Sequence, residues 1–167
     1  MSRLPPPGSD LHRLMSRFPA AGRVEWIGVR PSRGAPMDEV EATTARAGGG
    51  LDGDRYSGGS GKRGVTLVQA EQLPAIAALA RVPALTPTML RRNLVVSGIP
   101  VIALKGWRFR IGEVVLEGTA PCDPCSQMET TLGPGGYNAM RGMGGLCACI
   151  VEGGELRVGD TVEWIGA

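Results

Sequence analysis

Arg110–Glu117 reads RIGEVVLE and Arg157–Trp164 reads RVGDTVEW. Each puts a glycine and an acidic residue between extended, β-branched runs, a pattern expected of a tight turn between strands. Working outward, Arg23–Arg30 (RVEWIGVR), Val65–Gln69, Leu94–Val96, Val101–Leu104, Trp107–Ile111, Leu146–Val151 and Thr161–Ile165 read as further short strands. A short strand is also expected around Val40–Ala45. Helical signals are few. Ala70–Ala80 reads as a helix with Pro74 in its first turn, and Thr86-Pro87 supplies an N-cap followed by Pro at N1. Regular βαβ alternation is absent. The expected fold is mainly β, a closed or nearly closed barrel with a few short α-helices.

The chain has 167 residues and 26 glycines, with only 4% aromatic residues. One domain with many tight turns is the natural outcome. Residues 1–22 are expected to form a tail and residues 23–167 the barrel. In the tail, Leu11, Leu14, Met15 and Phe18 match one helical face that would dock on the body or on a partner. His12, the single histidine, receives no role. The formal charge of +2 is too small to argue for nucleic acid. No long apolar run or signal-peptide pattern is present, so a cytoplasmic protein with reduced thiols is expected. The oligomeric state is not legible.

Chemistry concentrates in Thr119–Cys149, which holds all four cysteines. Cys122 and Cys125 sit in P-C-D-P-C, where each proline stiffens its own residue and restricts the one before it. A short helical segment and a glycine-rich loop, Gly135–Gly145, follow. The loop could bring backbone N–H groups, Tyr137, Asn138 and Arg141 to a ligand. Leu146–Ile150 places Cys147 and Cys149 on one side of a strand. Three readings of the thiols stand side by side. A redox pair would join Cys122 and Cys125. A zinc site would use all four cysteines. A single thiolate near arginines would carry sulfur or bind a soft metal.

Candidate cations come from earlier in the chain. Arg55 projects from G-L-D-G-D-R-Y at Gly50–Tyr56, where it either pairs with a neighbouring aspartate or faces an anion. Arg91-Arg92-Asn93 runs directly into a core strand. SGGSGKRG (Ser57–Gly64) lacks the Walker spacing, because Arg63 stands where Ser or Thr would follow the lysine, and is read as a loop carrying two cations.

Taken in order, GLDGDR, VTLVQAE, RRNLVVSGI, FRIGEVVLE, PCDPCSQME, YNAMRGMGG and RVGDTV resemble a MOSC domain, named for the C-terminal part of molybdenum cofactor sulfurases. The resemblance spans about Val24 to Ile165 and is to the small stand-alone bacterial type. It implies a MOSC-type β-barrel that binds molybdenum cofactor (molybdopterin) or handles its sulfur. It places the functional cysteine, a persulfide carrier or molybdenum ligand, at Cys125, with Cys122 accessory. Arg55 and Arg92 match positions suited to the anionic cofactor; Asn93 and Arg141 are further cofactor contacts, and Arg91, Tyr137 and Asn138 are accessory. No pyridoxal-phosphate lysine motif accompanies it. The implied partners are the cofactor and a sulfur donor or electron-transfer protein. The activity is sulfur transfer or, alternatively, molybdenum-dependent reduction of N-hydroxylated compounds; the zinc-stabilised, non-enzymatic binding module is the third reading.

Overall fold

The computed structural model describes residues 4–56 and 62–166. Residues 57–61 of the SGGSGKRG stretch fall outside it, while Lys62 and Arg63 are described. Among the described residues ten strands occur: β1 (Gly22–Val29), β2 (Asp38–Glu39), β3 (Ala42–Ala45), β4 (Val65–Gln69), β5 (Leu94–Ser97), β6 (Arg108–Ile111), β7 (Val114–Pro121), β8 (Leu146–Glu152), β9 (Gly154–Arg157) and β10 (Thr161–Gly166). The helices are α1 (Asp10–Met15), α2 (Leu73–Ala80), α3 (Pro87–Leu90), α4 (Ser126–Leu132) and α5 (Gly136–Met140).

Seven strands close on themselves in the order β1-β10-β6-β7-β8-β4-β5, and β2 extends from β1. Within that ring β4 and β5 run parallel, whereas the other pairs are antiparallel. The parallel pair requires a crossover, and α2 and α3 fill it. β3 and β9 pair separately. The interior is aliphatic: Ile27, Leu67, Leu94, Phe109, Leu116, Leu146 and Ile150 belong to one buried cluster. A second cluster, including Ile76, Leu90, Met128 and Met140, lies between the barrel and its helices. Burial of such side chains is worth about 1.5–3 kcal/mol each.

The two R-x-G-[E/D] turns do different work. Gly112 turns β6 into its hairpin partner β7. Gly159 instead passes the chain from β9, paired with β3, to β10 in the barrel. Their similarity is one of turn chemistry, since both glycines have positive φ.

Two expectations change. Val101–Leu104 forms a 3-10 turn rather than a strand. Pro100 precedes it, Ala103 N donates to Pro100 O, and Val101 and Leu104, three residues apart, are buried while Ile102 is exposed. The strand expected around Val40–Ala45 is present but shorter, as β3 over Ala42–Ala45. The tail face is also only partly used. Phe18 stacks on Trp164 at 6.1 Å, but Leu11, Leu14 and Met15 remain exposed. The helix stops at Met15, so Phe18 lies beyond it and follows a different direction. His12 lies edge-on to Trp107 at 5.2 Å, a packing contact.

Candidate functional site

The thiol turn leaves β7 after a register irregularity between Gly118 and Ala120 and reaches α4 through Pro121–Cys125. Bulges re-aim a strand end. Cys122 N donates to Gly145 O at 2.8 Å, which ties the turn to the entry of β8. At Gly144 a Cβ would collide with the Cys122 carbonyl oxygen, and at Gly145 with Leu67 O. These glycines permit protein backbone to approach protein backbone.

The two cysteines of the turn point into different surroundings. Cys122 is 1% exposed. Its sulfur lies 3.8 Å from Arg63 Nη2. The Cys147 hydrogen bond, set against burial, and the charges of Arg92 and Arg63 lower the Cys122 pKa to about 6. Cys147 is pushed upward, first by donating that hydrogen bond, then by burial and the neighbouring thiolate charge. Partial burial opposes the charge on Arg63, but Cys147 and Cys122 together hold its pKa above the usual value. Cys125, by contrast, is exposed and occupies the N-cap of α4 in extended conformation.

Arg92 is buried beneath the turn. Its Nε donates to Gly144 O at 2.8 Å, Nη1 to Leu90 O at 3.0 Å, and Nη2 to Cys122 O and Asp123 O at 3.0 and 3.2 Å. The guanidinium therefore clamps the thiol turn to the glycine pair. Asn93, 1% exposed, is also engaged internally. Its Oδ1 accepts from Thr66 N, Thr66 Oγ1 and Arg30 Nη2; its Nδ2 donates to Gly28 O and Asp54 Oδ1. Leaving such groups unpaired costs about 1–3 kcal/mol each.

Arg30 and Asp54 are components that sequence reading missed. Their side chains pair bidentately, Nε to Oδ1 and Nη2 to Oδ2, both at 3.1 Å. Asp54 also accepts from the Arg30 and Tyr56 backbone N–H groups. The G-D-R motif thus directs its aspartate to an arginine at the end of β1. Asp52 pairs with Arg46. Arg55 has no carboxylate partner among the described residues; its guanidinium lies over Tyr56, 4.6 Å from the ring centroid. The motif was readable as a turn, but nothing local indicated which arginine would meet Asp54.

Arg91 joins this cationic rim from the C-terminus of α3, where it adopts φ 57°. Nη1 donates to Ala35 O at 2.8 Å. Burial, followed by repulsion from Arg30 and Arg55, lowers its pKa, while Cys125 and Asp54 act in the opposite sense. Arg30, Arg55 and Cys125 each lie close enough to Arg91 to act on its charge. Asp54 is committed to Arg30, so the Arg91 and Arg55 guanidinium groups have no carboxylate partner among the described residues.

The glycine-rich segment differs from the expected open loop. Gly136–Met140 forms α5, and its leading N–H groups are occupied: Gly135 N and Tyr137 N each donate to the Glu129 carboxylate at 2.8 Å. These bonds, Tyr137's first and then Gly135's, hold the Glu129 pKa down. Tyr137, Asn138 and Arg141 are exposed, and no hydrogen bond or ion pair among the described residues joins their side chains to Cys125.

The family model described as MOSC domain matches residues 53–163. The chain belongs to the MOSC domain family. The match encloses Asp54, Arg55, Arg91, Arg92 and all four cysteines. Among solved structures, the MOSC chain is similar to YuaD from Bacillus subtilis, with TM-score 0.78 and 19% identity over 90% of this chain and 100% of that one. It also resembles YiiM from Escherichia coli, with TM-score 0.69 and 18% identity over 89% and 71% of the two chains. YiiM from Geobacillus stearothermophilus gives TM-score 0.69 and 14% identity over 86% and 75%. At these identities the likeness is one of fold. None of the curated proteins matches the sequence.

The four-cysteine zinc arrangement lacks structural support: no group of three or more His, Cys, Asp or Glu among the described residues could hold a metal ion. Cys149, raised in pKa by burial and then Glu117, stands apart from the Cys122–Cys147 pair. No described helix is long and apolar enough to cross a membrane.

Proposed function

We propose that this MOSC protein binds molybdenum cofactor or carries its sulfur through Cys125. The observation that supports this most directly is the exposed Cys125 thiol at the head of α4, close enough to Arg91 to act on its charge, with Arg55 acting on the same guanidinium. The donor chemistry fits: a thiolate is a soft ligand for molybdenum, and guanidinium groups suit a phosphate or other anionic end. Arg55 and Arg91 would hold the anion, and Cys125 would provide the sulfur. Arg92 and Asn93 enter as positioning residues, because their side-chain donors are directed to protein atoms. Tyr137, Asn138 and Arg141 would supply outer contacts. When bound, the cofactor supplies a molybdenum centre capable of sulfur ligation or redox chemistry.

Incubation with molybdenum cofactor under reducing, anaerobic conditions, followed by metal and pterin analysis, tests binding. Retention by wild type and loss in Cys125→Ser and Arg55→Ala/Arg91→Ala proteins are expected. Exposure to a sulfane-sulfur donor followed by mass spectrometry tests the carrier version; the added sulfur should be on Cys125. Absence of cofactor binding together with sulfur confined to another cysteine overturns the assignment.

A further inference from the structure

Cys122 and Cys147 are not used by the Cys125 reading, yet they form a second, organised thiol centre. The geometry points to a thiol–disulfide exchange site at Cys122–Cys147 that takes a low-molecular-weight disulfide such as oxidised glutathione. Cys122 comes from the turn after β7 and Cys147 from β8, two strands paired side by side. Cys122 N is hydrogen-bonded to Gly145 O, which sets Cys147 two residues along the neighbouring strand as its diagonal neighbour, and Arg63 Nη2 is 3.8 Å from Cys122 Sγ. Arg63 is exposed and its guanidinium reaches Cys122 Sγ, so the sulfur lies one side chain beneath the surface. Arg92 secures the backbone on which Cys122 is carried.

The chemistry balances in two exchanges. Cys122 thiolate attacks one sulfur of the small disulfide, RSSR, forming Cys122–S–SR and expelling RS⁻. Cys147 then loses its proton to RS⁻ and attacks the Cys122 sulfur, forming the Cys122–Cys147 disulfide and expelling the second RS⁻, which takes a proton from solvent. Two electrons pass from the protein dithiol to RSSR. The order is built into the site: Cys147 is held protonated chiefly by its bond to Cys122 thiolate. Once Cys122 becomes a mixed disulfide that restraint is gone, while Arg63 and Arg92 still favour a Cys147 thiolate. A small dithiol reductant reverses the sequence by the same exchanges.

The test uses the full chain with oxidised glutathione, acid quenching, alkylation after unfolding and peptide mass mapping. Expected is a Cys122–Cys147 disulfide with Cys125 and Cys149 alkylatable, reversal by dithiothreitol, and the same product in Cys125→Ser. Cys147→Ala should trap glutathione on Cys122. The initial rate should rise roughly tenfold per pH unit below the Cys122 pKa and level above it. A Cys122–Cys125 disulfide, or glutathione confined to Cys125 while Cys122 and Cys147 remain alkylatable, overturns the proposal. Either result is separate from cofactor retention by Cys125, which is measured on reduced protein.

Discussion

Cys122 and Cys125 belong to one five-residue motif but occupy opposite environments. Cys122 is enclosed by Arg92, Arg63, Cys147 and the Gly144-Gly145 backbone. Cys125 stands exposed at a helix head, and its charge acts on Arg91 across the rim. A C-x-x-C spacing therefore says that two thiols are near in sequence and little about whether they act together. Here the thiol that acts on Cys122 is Cys147, from β8, and not Cys125. The difference arises from the barrel: the buried cysteine has framework contacts, whereas the exposed one has room for a ligand.

The largest test of this contrast lies in the framework shared by both. Asp54→Ala would leave Arg30 buried without its carboxylate, and a loss of about 3–5 kcal/mol is expected in denaturant unfolding. A smaller loss, near that of an exposed pair, would show that the network does not support the rim. Gly144→Ala would press a methyl group against the Cys122 carbonyl. Strain of about 1–3 kcal/mol is expected, with the Cys122 titration moving upward as the turn shifts; unchanged titration would separate the glycine pair from the thiol.

A pH titration sharpens the contrast without mutation. One thiolate should appear by ultraviolet absorbance near pH 6, and Cys122→Ser should remove it. Because the folded pKa is depressed below an unfolded value of about 8.5, its contribution to stability is fully present above the unfolded value. That contribution is lost as pH falls through about 6. Glu129 follows the same sign in a lower window: its bonds to α5 help above the unfolded carboxylate pKa of about 4.3 and fade as pH falls through its depressed folded value. The smallest stability effect is expected for Cys125→Ser, within about 0.5 kcal/mol, despite loss of cofactor or sulfur retention. A large destabilisation there would remove the distinction between the two cysteines.

Much of the barrel was legible because its strands carry short apolar runs bounded by glycine turns, as in RIGEVVLE and Leu146–Val151. Val101–Leu104 misled because its apolar composition suits either a strand or a one-turn helix; Pro100 and the i, i+3 burial favour the latter. At the site, motif order directed attention to Cys125, Arg55 and Arg91-Arg92-Asn93. It could not distinguish an arginine facing outward from one bonded to four carbonyls, because that depends on where Gly144 and Cys122 arrive in space. The Arg30–Asp54 pair and the Cys122–Cys147 contact were hidden for the same reason: each joins strands or turns far apart in the chain.

Barrel closure gives Cys122 one more property. Gly22 must meet Val162, while Arg92 must reach both Cys122 and Gly144. Such long-range closures are made late and slowly, since loop entropy precedes the reward of contact. The acidic thiolate depends on several of these meetings at once. Its absorbance during refolding should therefore act as an internal clock, remaining silent through early helix formation and rising when the ring of strands becomes complete.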